Sequence, residues 1–179
     1  MPHLKEPLPG RLIVSVIYSS IDALSDSLSM LERRFGKVQY ETSEIASSEA
    51  ERYREEMGEG LVRRFFSFEE PVKRSVLCEI KMTCRKIEPC FADNAGGVLF
   101  RTINIDPGIM TPDNIVMASI HETRHKVYIG NSIFAEIVLI YANGRFVRLP
   151  WTSPDFCYDQ AIDLFERVRD GFELCEQIL

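Results

Sequence analysis

His121-Glu122-Thr123-Arg124-His125 is a literal H-E-x-x-H. On one helix, histidines four apart share a face and can hold zinc while the glutamate activates water. That chemistry needs the helix to run through His125. Lys126-Val127-Tyr128-Ile129 reads instead as a strand starting at once, so His125 falls past the helix end. The match reads as chance.

Glu136 is the sharper signal. It stands in the run Ile133–Tyr141 with Phe134, Val138 and Ile140 on its own face and Ala135, Ile137 and Leu139 on the other. A strand apolar on both faces is interior, and a lone carboxylate there costs several kcal/mol unless paired. Asn143-Gly144 is a hairpin signal whose register sets Glu136 opposite Trp151 and beside Leu149. On the other side, Gly130-Asn131-Ser132 decides the neighbour. A two- or four-residue loop puts His125 on the face of Glu136, and a three-residue loop sets Lys126 opposite it. A structural salt bridge and a functional polar cluster both fit this pattern.

Asp106, before Pro107-Gly108, and Asp155, after Pro154, are the next carboxylates. The first suits the anchor of a turn and the second the cap of the last helix. If Asp106, His125 and Glu136 converge, they form a hard-metal site or an acid/base group, and they are the catalytic candidates. Arg63, Tyr128, Trp151 and Asp155 are the ligand-binding candidates. Neither a metal nor a cofactor is specified.

The elements that must position these residues predict an α+β fold. After a Pro-rich leader, Arg11–Tyr18 is a central strand, and Ser19-Ser20-Ile21-Asp22 matches a capping box. Leu24, Leu28, Leu31 and Phe35 follow at helical spacing, Gly36 stops the helix, and Val38–Thr42 completes a β-α-β unit. Glu44–Gly60 is a polar helix or loop, and Leu61–Phe68 a strand. Pro71 opens a helix towards Phe91, Ala95–Gly97 turns the chain, and Val98–Ile105 is a strand stopped by Asp106-Pro107-Gly108. Thr111-Pro112-Asp113 starts a short helix to about His121. Lys126–Ile129, Ile133–Tyr141 and Arg145–Leu149 form a three-stranded meander before a long helix over Tyr158–Leu179. The expectation is a single domain, a mixed and largely antiparallel sheet packed by helices.

The chain has 179 residues, 45% hydrophobic and 27% charged, which is ordinary for one globular domain. Its net charge of −6 argues against a broad grip on nucleic acid or an anionic membrane. No apolar run nears the roughly 20 residues of a membrane helix, and Met1–Gly10 lacks the apolar core of a signal peptide. Cys78, Cys84, Cys90, Cys157 and Cys175 are odd in number and include no C-x-x-C pair. They are expected to be buried free thiols in a reducing cytoplasm.

Three stretches add a family likeness: Glu56-Met57-Gly58-Glu59-Gly60-Leu61, Asn104-Ile105-Asp106-Pro107-Gly108, and His125-Lys126-Val127-Tyr128 followed by Ala135-Glu136. From Arg11-Leu12-Ile13-Val14 to Trp151-Thr152-Ser153-Pro154-Asp155, the chain resembles the prokaryotic family catalogued as domain of unknown function 4416. The resemblance implies no activity and no catalytic residues. Some members carry the label GTP-binding protein, yet the only Gly-Lys here, Gly36-Lys37, lacks both the earlier glycine and the following Ser or Thr of a phosphate loop, so GTP or nucleotide binding without such a loop stands as a further alternative.

Two function classes follow. One is a small-molecule enzyme or ligand-binding protein built on His125 and Glu136. The other is a partner-binding or self-associating domain that exposes Phe65, Phe66 or Trp151.

Overall fold

The computed structural model describes residues 4–95 and 98–176, without the side chains of 95, 98, 99 and 173–176. Strand β1 (Gly10–Tyr18) leads into helix α1 (Ile21–Phe35). The cap is Ser20, whose hydroxyl accepts from the Ala23 N–H, one residue later than the sequence suggests. Next come β2 (Val38–Glu41), β3 (Ile45–Ala46) and α2 (Ala50–Met57). Gly58 and Gly60, at φ 82° and 71°, then turn the chain into β4 (Val62–Val72). Pro71 pairs with Arg11 of β1 inside that strand, so α3 starts only at Leu77 and ends at Ile87. The sheet outcompetes the helix that Pro71 would have opened.

Strands β5 (Ala92–Ala95) and β6 (Val98–Arg101) make a separate two-stranded arm. Of the turn expected at Ala95–Gly97, Ala95 ends β5 and residues 96 and 97 lie outside the described residues. β7 (Ile103–Met110) runs straight through Asp106-Pro107-Gly108, so the expected turn does not form. Instead the Thr111 hydroxyl accepts from the Asp113 and Asn114 N–H groups and returns the chain as β8 (Asn114–Ser119). The sequence predicts a short helix there, and the structure has a strand instead. Ile115 and Met117 face one core and Ala118 another, a period of two that belongs to a strand.

The meander is present as β9 (Val127–Gly130), β10 (Ile133–Ala142) and β11 (Arg145–Arg148). Its two tight turns, Asn131-Ser132 and Asn143-Gly144, hold both residues at positive φ. Helix α4 (Asp159–Glu176) follows; the end of the predicted helix and the Cys175 side chain lie outside the described residues.

The main sheet runs β11-β10-β8-β7-β1-β4-β2, with β3 also on β4 and β9 also on β10, and every pair is antiparallel. β4 lies between β1 and β2, so the β-α-β unit is split rather than adjacent. β1 is apolar on both faces because both are covered. Leu12, Val14 and Val16 meet α1 and α3 through Leu24, Leu31, Ile80 and Cys84. Ile13 points the other way and joins Phe65, Met117, Val138 and Phe165 beneath α4. Phe65 and Phe66 are thus fully buried on opposite faces, which removes them as an exposed partner surface. Among the described cysteines all are free; Cys84 is buried, Cys78 and Cys157 half-buried, and Cys90 exposed rather than interior. Among the described residues no helix is long and apolar enough to cross a membrane.

Gly108 shows how tightly β7 and β8 close. A Cβ there would stand 2.2 Å from Met117 Sδ and 2.8 Å from the Val116 carbonyl oxygen. Met117 can swing aside but the Val116 backbone cannot. Gly108→Ala is expected to lower the unfolding free energy by about 1–3 kcal/mol, read from urea midpoints at unchanged m-value.

Candidate functional site

β7 and β8 pair only where Gly108–Met110 meets Ile115–Met117. Beyond that, β8 stays on β10 as far as Ser119 while β7 continues beside β1 to Ile103. The sheet opens as a wedge between them. Ile105 turns both backbone polar groups into the wedge, where no strand answers them. Glu88 Oε1 accepts its N–H at 2.8 Å, and Lys81 Nζ donates to its carbonyl at 2.8 Å. Residue 107, next along the same edge, is proline and has no N–H to satisfy. Two side chains from beneath the sheet thus replace a missing strand neighbour.

The wedge widens into a cavity of about 660 Å³, within the usual range for a small-molecule site. Lys81 reaches it from α3 and also meets Asp106 Oδ1 at 2.6 Å, while Asn104 Nδ2 donates to Asp106 Oδ2 at 2.6 Å. The Asp106 side chain is 27% exposed, and it lines the cavity. Burial pushes its carboxyl up, but Lys81 and the weaker pull of Arg63 and Asn104 carry it below the usual carboxylate range. Burial depresses the Lys81 ammonium, and Asp106 and Glu88 more than restore it, so Lys81 stays protonated. Glu88 is different: burial raises its carboxyl despite Lys81.

Arg63, only 3% exposed, closes another wall. It donates to Ser15 Oγ at 3.0 Å and Glu49, and its Nε lies 2.8 Å from Asp155. Asp155 is fully buried and also accepts from the Ser48 N–H at 2.9 Å. It anchors Arg63 from behind and does not line the cavity, a different task from the helix cap suggested by sequence. Arg101 joins α2 to the floor, meeting Glu56 at 2.5 Å and Glu88 at 3.0 Å.

The third wall is the meander. His125 Nε2 lies 2.9 Å from Glu136 Oε2, and Lys126 Nζ 3.1 Å from Oε1. The two partners that the loop register set as alternatives are both present. The turn Asn131-Ser132 is two residues long, and a bulge opposite Ile133-Phe134 shifts β9 so that both side chains arrive. Trp151 lies past the end of β11, where its Nε1 donates to the Ile137 carbonyl at 2.8 Å and its ring stacks on His125 at 4.8 Å. A second bulge, between Ile137 and Leu139, breaks the expected alternation and sends Val138 and Leu139 into one core.

His121-Glu122-Thr123-Arg124-His125 lies in the connection between β8 and β9, with no helix under it. Among the described residues no three His, Cys, Asp or Glu side chains are grouped to hold a metal ion. Asp106, His125, Glu136, Arg63 and Trp151 all line the one cavity, whereas Tyr128 and Asp155 do not. Tyr128 is 61% exposed on β9, against Phe134. Sequence reasoning missed Lys81, Glu88, Glu49 and Arg101. Lys81 left a trace: it falls among Leu77, Ile80, Cys84 and Ile87 on the buried stripe of α3, where a lysine needs a reason.

The family model for domain of unknown function 4416 matches residues 8–172. The chain belongs to that family. No curated protein and no solved structure matches the chain. For this member of the 4416 family, the segments that carry the likeness meet in space: Glu56, Asn104, Asp106, His125, Lys126 and Glu136 all face the same cavity. Gly58 and Gly60 of the first segment supply the positive-φ turn after α2, and Gly108 of the second the close approach to β8.

Proposed function

We propose that this protein binds a small polar molecule in the wedge cavity and acts on it by proton transfer through His125 and Glu136. The observation that carries this reading is the pair itself: an imidazole and a carboxylate 2.9 Å apart on the wall of a cavity of about 660 Å³. With Glu136 accepting from Nε2–H, the remaining acceptor of the His125 ring is Nδ1, 3.4 Å from the Thr123 hydroxyl, and it is the atom that takes a proton. Glu136 then stabilises the imidazolium that forms, and Lys126 holds the carboxylate in place on its other oxygen. Asp106, fixed by Lys81 and Asn104, offers a second anchoring point for a hydroxyl or amine. A panel of sugar phosphates, carboxylates and nucleotides, GTP included, screened by ligand-observed NMR and then product analysis, tests the reading. A compound bound and converted by the wild type, but bound far more weakly and left unconverted by Glu136→Gln, is the expected result. Equal conversion by the two would contradict it.

A second reading has its own observation. Val127 and Tyr128, 68% and 61% exposed, stand on the edge strand β9 beside Trp151 at 40%. Self-association through this edge predicts a mass that doubles with concentration in light scattering and returns to monomer in Val127→Lys.

A further inference from the structure

Every carboxylate lining the cavity already faces a cation: Glu49 meets Arg63, Glu56 and Glu88 meet Arg101, Asp106 meets Lys81, and Glu136 meets Lys126. The reverse does not hold. Arg85, on α3, has no ion pair among the described residues. Among the described residues the carboxylate that Arg52, on α2, reaches is Glu49, at 3.7 Å, and Arg63 holds that carboxylate more closely. Exposure sorts the charges the same way. Among the charged or titratable residues lining the cavity, Arg52, Arg85 and His121 are exposed, whereas each lining carboxylate is half-buried or buried. In a chain of net charge −6, this rim carries the opposite sign.

We propose that Arg52, Arg85 and His121 form an oxyanion subsite at the rim of the cavity, so that its ligand is a small organic anion carrying a carboxylate or a phosphate. The inference rests on the cavity being a ligand site and names the class of its ligand. Guanidinium groups present paired donors that match both oxyanions, and a concave low-dielectric wall concentrates their field. His121 stands in the field of Arg52. Partial burial first, then the positive charges of Arg52 and Lys126, hold its imidazole below the ordinary range. An arriving anion offsets the cationic part of that bias and so favours a proton on His121. The paired carboxylates deeper in the cavity leave the rim as the place where a negative group meets uncommitted cations.

Calorimetric titration of the intact chain with inorganic phosphate, and separately with succinate, tests this. The wild type is expected to bind at least one of them saturably, and which one binds tells a phosphorylated ligand from a carboxylate. Arg52→Gln/Arg85→Gln is expected to weaken binding about tenfold or more, with the thermal midpoint of the free protein unchanged because both side chains are exposed. If the double variant loses stability, Arg85→Gln alone carries the comparison. Binding of neither anion, or equal binding by the variant, overturns the oxyanion subsite. A neutral compound whose binding depends on Glu136, with no anion bound, overturns the subsite and leaves the cavity reading standing. No binding of any compound defeats both.

Discussion

Replacing Lys81 with methionine is expected to cost about 3–5 kcal/mol of unfolding free energy. The side chain is 3% exposed, and its ammonium serves the Ile105 carbonyl and Asp106 at once. Methionine fills the same space but leaves Asp106 ionised without its cation, and the carbonyl at the wedge unsatisfied. For a domain of this size each kcal/mol moves the melting point about 2–4 °C, so a drop of roughly 6–20 °C follows. The pH dependence has a definite sign. In the wild type the Asp106 carboxyl is held below its unfolded value, so the pair stabilises above that value and the gain is lost as pH falls through the folded one. In the variant only the weaker pull of Arg63 and Asn104 opposes burial, so the carboxyl rises relative to the wild type, and protonation removes the cost of the unpaired charge. The deficit is therefore largest near neutrality and shrinks in acid. Lys81→Met/Asp106→Asn is expected to recover part of the loss, since no buried carboxylate is left unpaired at Asp106. Urea unfolding of the two variants between neutral and acidic pH checks both statements. A deficit independent of pH would mean that packing, not charge, is what Lys81 supplies.

The second large effect is on chemistry rather than stability. Glu136→Gln keeps the shape of the side chain and removes the charge that orients His125 and stabilises its protonated form. A loss of about 10²–10⁴-fold in the rate of any reaction in the cavity is expected. The fold is not expected to follow, because Lys126 keeps its 2.8 Å hydrogen bond to Ser119 Oγ and His125 its stack on Trp151. Single-turnover rates and the melting point of the free variant separate the two contributions. A variant that melts far below the wild type would make Glu136 a structural salt bridge after all.

Much of this arrangement is legible in the sequence where local rules decide. β1 reads as central because it is apolar on both faces, Asn143-Gly144 as a tight hairpin, and Glu136 as an interior carboxylate in need of a partner. The places where the sequence misleads are those where the wedge overrides local preference. Asp106-Pro107-Gly108 has the residues of a turn, but in β7 the proline occupies an edge with no neighbouring strand and the glycine admits Met117. Thr111-Pro112-Asp113 has the residues of a helix start, yet the Thr111 hydroxyl closes a turn between two strands. Pro71 is a helix opener by type and a strand residue by pairing. Loop register at Asn131-Ser132 is the subtler case: the choice between His125 and Lys126 dissolves because a bulge delivers both. Lys81, Glu88 and Arg101 come from elements whose meeting is purely tertiary, and only the lysine on an apolar helix face hints at it.

Ligand binding in the wedge cavity depends, on this reading, on Glu136. Its most direct test is a thermal-shift panel of small anions, nucleotides and neutral polar compounds on the wild type and Glu136→Gln side by side. A ligand at 100 times its dissociation constant adds about 2.7 kcal/mol, or roughly 5–10 °C here. At least one such rise is expected in the wild type, and it is expected to be lost in a variant whose unliganded midpoint is unchanged. A flat panel, or compounds that raise both midpoints equally, would contradict it.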